Sequence, residues 1–152
     1  MSIALSFVFH LLGAVLWTGG LMAMSRALLA MARQPAAMRP GLAYLTGRLN
    51  ILALLGAALC LPSGLYQLSQ WPDGSFRHAG WLHAKLTLII VLVIVHALCW
   101  AKLKRWRTAG AADPLPRGSA AALHGIVGLV LIGVLLAVYL GKHHFLRSSN
   151  FL

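Results

Sequence analysis

Four stretches of this chain contain no Lys, Arg, Asp or Glu: Met1 to Ser25, Leu49 to Pro72, Leu86 to Ala101, and Gly118 to Gly141. An α-helix rises about 1.5 Å per residue, so roughly 20 apolar residues cross about 30 Å of hydrocarbon. The first, second and fourth stretches reach that length. The third does so if it begins near Ala79 and takes in Lys85, whose ammonium lies close enough to the helix end to snorkel to the headgroups. The remaining composition agrees, since 60% of the 152 residues are hydrophobic and only 10% charged, far from the balance of a soluble domain. The expected fold is an all-α integral membrane four-helix bundle, a single domain over residues 1–152 with spans at about 3–25, 49–69, 79–103 and 119–140. The first stretch lacks a positive n-region and exceeds a typical signal-peptide core, so it is expected to be a mature helix.

A net charge of +11 would point to nucleic acid in a soluble protein. Here no soluble module remains to bind nucleic acid, and the cations gather in two loops. Arg26, Arg33, Arg39 and Arg48 flank the first, and Lys102, Lys104, Arg105, Arg107 and Arg117 flank the third. Between spans two and three there are only Arg77, set against Asp73, and Lys85 at the border. The positive-inside rule then places loops one and three in the cytoplasm and both termini outside, in a bacterial-type inner membrane. Cys60 and Cys99 have no metal-type spacing and are expected as free, buried thiols.

Gln34-Pro35 and Arg39-Pro40-Gly41 supply breakers after span one, and Trp71-Pro72-Asp73-Gly74 supplies an outer turn. Pro62, inside span two, predicts a kink or carbonyls that need other partners. Small residues recur every four positions, as Gly56, Cys60 and Gly64 and as Gly133, Ala137 and Gly141. Such stripes let helix backbones approach closely, either within one bundle or across a dimer.

Ionisable residues inside a membrane are costly and tend to mark sites. Of seven histidines, His10, His83, His96 and His124 fall within the spans, while His78, His143 and His144 fall in outer loops or at helix ends. A neutral imidazole presents a donor and an acceptor, and in hydrocarbon each needs a partner. One solution is a carbonyl on a neighbouring helix, and another is heme iron. No Asp or Glu lies in any span to form a carboxylate proton relay.

His10 and Trp17, seven apart, lie about 20° from eclipsed on one helix face, with Gly13 beside them. That predicts an imidazole above a gap with an aromatic floor, into which a flat macrocycle can come. Gly125 and Gly128 give His124 similar company. His83 and His96 are 13 residues apart, about 20 Å along the axis, a separation open to two stacked hemes. They also differ by roughly 140° around the helix, whereas Lys85 and His96 differ by about 20° and share a face.

These residues resemble the HemJ-type protoporphyrinogen IX oxidases, four-helix membrane proteins that bind heme b. His10, Trp17, Gly20, Leu21 and Arg26 reproduce the family's spacing in span one. Trp81-Leu82-His83-Ala84-Lys85-Leu86, followed by His96 and Cys99, is similar to its Trp-Leu-His-x-Lys-Leu motif. The resemblance implies that His10 ligates heme iron and that Arg26, Arg48 and Lys85 are its important basic residues, placed to pair with porphyrin carboxylates. The sequence departs from the family at two places. Ser25 stands where the family has Pro, and His124 falls in the region where the family has Asn-Glu-x-Pro. Trp17-Thr18-Gly19-Gly20 also resembles the CopD copper-resistance membrane family.

The expected function is a heme-b oxidoreductase with one or two hemes. It would pass electrons from a hydrophobic reductant, protoporphyrinogen IX if the family activity is kept, to quinone or a redox partner protein. His10, His83, His96 and His124 are the candidate iron ligands, with Gly13, Trp17 and Gly128 lining the cofactor, and Arg26, Arg48 and Lys85 are the candidate catalytic cations. The alternatives are a noncatalytic cytochrome b subunit of a larger complex, in which His96 and His124 pair, and copper transport.

Overall fold

The computed structural model describes residues 2–70, 79–109 and 116–148. They form four long helices: α1 (Ile3–Met31), α2 (Arg39–Ser69), α3 (Gly80–Ala109) and α4 (Arg117–Ser148), with a short 3-10 turn at Ala36–Met38 leading into α2. All four are long and apolar enough to cross a membrane. The fold is an all-α, four-helix integral membrane bundle. The Trp71-to-Gly74 turn, Arg77 and His78 lie outside the described residues, as do the side chains of His143 and His144.

The helices run past the charge-free stretches where the basic residues gather. α1 continues beyond Arg26 to Met31, and α2 starts at Arg39, ten residues before Leu49. Gln34-Pro35 does interrupt the chain, but Arg39-Pro40-Gly41 opens a helix instead of breaking one. The Pro40 nitrogen falls in the first turn of α2, where no intrahelical bond is lost. The added turns are held by packing. Leu28, Met31 and Ala32 share the apolar core with Ala43, Leu103 and Trp106. A helix of 29 residues is about 43 Å long, the thickness of hydrocarbon plus headgroup layers.

α1 lies along α2, α3 lies along α4, and α1 also meets α4, whereas α2 and α3 touch at few positions. The α1–α2 contact is close because its seam lacks side chains. A Cβ on Gly13 would sit 2.5 Å from the Cys60 nitrogen and 2.7 Å from the Gly56 carbonyl oxygen, and one on Gly20 would press on Ala53. Gly133 and Gly141 receive Leu88 and Trp81 of α3 in the same way. Both small-residue stripes therefore serve packing within one chain. The outward faces are apolar, with Phe7, Leu55, Ile94 and Leu129 among the exposed side chains, as a lipid-facing surface requires.

At the basic end the cations fasten helix termini. Arg117 donates to the Ala32 carbonyl at 3.3 Å and Arg39 to that of Gln34 at 3.0 Å, satisfying groups at the end of α1. Arg107 donates to the Ala43 carbonyl at 2.7 Å, and Lys102 to the Ser119 hydroxyl. Cys60 and Cys99 are free and buried.

Candidate functional site

The thin packing between α2 and α3 leaves a seam with several cavities along it, two of which are lined by candidate histidines. The first holds about 190 Å³ and is lined by His10, Cys60, Gly64, Trp81 and Lys85, among others. The second, of about 360 Å³, lies nearer the basic end.

His10 reaches the first cavity from α1. Its Nδ1–H donates to the Cys60 carbonyl at 2.9 Å, with the Cys60 sulfur 3.6 Å away. Pro62 lies in the same turn of α2. A proline supplies no N–H and crowds the preceding turn, so nearby carbonyls take side-chain donors. Ser63 Oγ donates to Leu59 and Cys60, and His10 completes the set. A carbonyl can only accept, so the proton is on Nδ1 and the Nε2 lone pair is left over. Among the described residues Nε2 has no partner. Gly64 makes room for the ring, since a Cβ there would lie 2.8 Å from the His10 Cε1.

Lys85 lines the same cavity, half-buried. The chain has two acidic residues, Asp73 and Asp113, both outside the described segments, and Lys85 makes no hydrogen bond among the described residues. One cavity thus contains an imidazole lone pair and an ammonium with no counter-ion among the described residues.

His96 is wired differently. Trp17, 2% exposed, donates its indole N–H to His96 Nδ1 at 3.2 Å, and His96 Nε2 meets Asn50 Oδ1 at 3.0 Å. An indole can only donate, so Nδ1 carries the lone pair and Nε2 the proton. Iron ligation at His96 would require it to give up one of these bonds. Trp17, expected as a floor beneath His10, instead joins α1 to α3. The gap expected beside Gly13 is filled by the α2 backbone.

His124 turns to α1. Ser25 Oγ donates to the Met22 carbonyl at 2.9 Å and accepts from His124 Nδ1–H at 2.9 Å. The two places where the sequence departs from the HemJ pattern are therefore in contact with each other. Among the described residues a Cβ on Gly125 would meet nothing within 4 Å and one on Gly128 only the Met22 methyl at 3.8 Å, so neither marks a tight approach. His83 is exposed, and its Nδ1–H donates to the Ala79 carbonyl of its own helix at 3.0 Å. That is the outward direction its angle from Lys85 and His96 predicts.

The three candidate cations do not converge. Arg26 is exposed, and Arg48 is exposed with its guanidinium on the Tyr44 hydroxyl at 2.7 and 3.0 Å. Asn50, beside Arg48, is at the level of His96, and His96 is 11 residues or about 16 Å from Lys85 along α3. Among the described residues no three His, Cys, Asp or Glu side chains form a group that could hold a bare metal ion. Asn50, Ser25, Gly64 and the Cys60 carbonyl were missed by residue type. Pro62 and the lone Asn in an apolar span were the available signals.

These features define a membrane four-helix bundle with cavities along the α2–α3 seam. Compared with known protein families, curated proteins and solved structures, the chain matches none.

Proposed function

We propose that the chain binds one heme b through His10 and acts as a membrane oxidoreductase of HemJ-like type, in a bacterial-type cytoplasmic membrane. Electrons would pass from a hydrophobic reductant, protoporphyrinogen IX if the family activity is kept, to quinone or a partner protein. The observation that carries this is the His10 ring, with Nδ1–H tied to a backbone carbonyl and Nε2 left without a partner beside Lys85. Metal-ligating histidines commonly donate their other N–H to a carbonyl, which fixes the tautomer and raises the basicity of the ligating nitrogen.

The donor set fits heme: His10 Nε2 for iron and Lys85 for a carboxylate. The volume fits in part, because about 190 Å³ is below the roughly 300–1,000 Å³ of ordinary cofactor pockets. A macrocycle needs the α2–α3 seam to widen, and α2 and α3 touch at few positions. When bound, heme supplies one-electron chemistry. His10 orients it, Lys85 balances its charge, and Leu82 and Ile89 help exclude water.

A noncatalytic cytochrome b subunit is favoured by one observation, the His124 ring with Nδ1 held by Ser25 and Nε2 without a partner among the described residues. It is disfavoured by His96, whose two nitrogens are both engaged.

A pyridine hemochrome assay on purified protein should give one heme per chain, and His10→Ala should lose it. Absence of heme, or full heme in that variant, would overturn the assignment. Complementation of a strain lacking protoporphyrinogen oxidase tests the substrate, and failure by a well-expressed protein would favour the cytochrome.

A further inference from the structure

The second cavity, of about 360 Å³, is lined by Asn50, Leu54, Val93, His96, Ala97 and Trp100. The bonds behind it fix the state of the His96 and Asn50 side chains in its wall. The Trp17 indole sets the lone pair of His96 on Nδ1, so Nε2 must donate, and Asn50 must accept with Oδ1. The Asn50 amide nitrogen, with two N–H groups, is then turned away from His96. Asn50 is only 4% exposed, yet among the described residues this nitrogen has no partner. No fully buried side-chain nitrogen or oxygen among the described residues lacks a hydrogen bond. The amide nitrogen must therefore be reached through the cavity that Asn50 lines.

The donor calls for an acceptor, and its surroundings restrict which. No charged residue lines the cavity, so a carboxylate or phosphate would find no counter-ion there. A water needs two to four polar partners, and His96 has none to spare. A neutral carbonyl on an apolar body satisfies both conditions. Trp100 offers an aromatic face, and Leu54, Val93 and Ala97 are exposed on the lipid side, which gives entry from the bilayer.

We infer that this cavity binds a quinone-class ligand whose carbonyl oxygen accepts from the Asn50 amide, with Trp17 and His96 as positioning residues for Asn50. The site gives a place to the quinone named above, and in that role it rests on the proposed function. Occupancy itself does not depend on heme at His10.

The test uses the full chain in nanodiscs, an azido derivative of a short-tailed ubiquinone as photolabel and decylubiquinone as competitor. Labelling is expected on the segments carrying Leu54 and Val93 to Trp100, with displacement by decylubiquinone. Asn50→Leu should raise the apparent Kd about tenfold, the value of one hydrogen bond. Ala97→Phe fills the cavity and keeps the hydrogen-bond chain, so it should abolish labelling in a protein that folds normally.

His10→Ala should label as wild type does, whatever its heme content. Loss of label in that variant would move the ligand to the other cavity and overturn the assignment. So would labelling spread over the outward faces and unchanged in Ala97→Phe. Displacement by dihexanoylphosphatidylcholine but not by decylubiquinone would identify a lipid ester carbonyl as the occupant and also overturn it.

Discussion

Gly13→Ala and Gly64→Ala add the same methyl group to the same helix contact and should have opposite consequences. A Cβ on Gly13 meets backbone at 2.5, 2.7 and 2.9 Å, and ordinary contact begins at 3.4 Å. Backbone cannot rotate away, so α1 and α2 must part by about 0.9 Å, enough to forfeit a quarter to a half of each dispersion contact along the seam. Overpacking of this kind costs about 3 kcal/mol at the upper end, and the helix propensity of Ala returns about 1 kcal/mol. The net loss is about 2 kcal/mol. At Gly64 the new Cβ meets the His10 ring, at 2.8 Å from Cε1 and 3.0 Å from Nδ1. The imidazole can swing into the adjacent cavity, giving up its bond to Cys60 for about 1 kcal/mol, which the propensity gain offsets. Gly64→Ala should keep wild-type stability while its ligating nitrogen is displaced. Unfolding by SDS titration, followed by circular dichroism, measures the first effect, and heme stoichiometry with the Soret spectrum measures the second. Wild-type heme content and spectrum in Gly64→Ala would refute the placement of the ligand, and a Gly13→Ala protein as stable as wild type would refute the account of the seam.

Lys85→Met removes a half-buried cation with no acidic partner among the described residues, so the heme-free protein should become more stable by about 1 kcal/mol in thermal melts. Heme affinity should fall about tenfold in the same variant, the scale of a charge-assisted hydrogen bond, and Lys85→Arg should restore it. For topology, a cysteine replacing Ala36 should react with an impermeant maleimide only in inside-out vesicles and one replacing Ser2 only in intact cells. The opposite pattern would reverse the assigned orientation. Cys60 and Cys99, being buried, should stay unlabelled throughout.

The membrane fold was legible because charge along the chain is a one-dimensional signal, and a span of about 20 uncharged residues has few alternatives in hydrocarbon. The helix ends were less legible. Arg26 and Arg48 mark where lipid headgroups begin, but a helix needs only packing to continue, and Leu28, Met31 and Trp106 supply it. Angular periodicity correctly turned His83 outward, since a single helix fixes relative angles. It did not reveal that Gly13 faces α2, because which helix fills a gap depends on how neighbouring helices pack. Asn50 escaped for a related reason: its standing comes from His96, 46 residues away, and from Trp17, 79 residues from His96. The departures at Ser25 and His124 were visible singly, and only the fold shows that they are one contact.

The α2–α3 seam explains why the polar residues fall where they do. α2 and α3 touch at few positions, yet they are not independent: Arg107 ties α3 to the Ala43 carbonyl, and His96 ties it to Asn50. Gly47 admits the Arg107 side chain, so even this fastening depends on a missing Cβ. Both ties lie in the basic half of the bundle. Toward the other end, where α2 reaches Ser69 and α3 begins at Gly80, the seam is bounded by Leu65, Leu68, Trp81 and Leu86. The chain itself joins α2 to α3 at this end through residues 70–79, and there His10 and Lys85 stand. The hydrogen-bonded network at Asn50 holds one wall of the second cavity in place, whereas the proposed heme at His10 would require the first to widen.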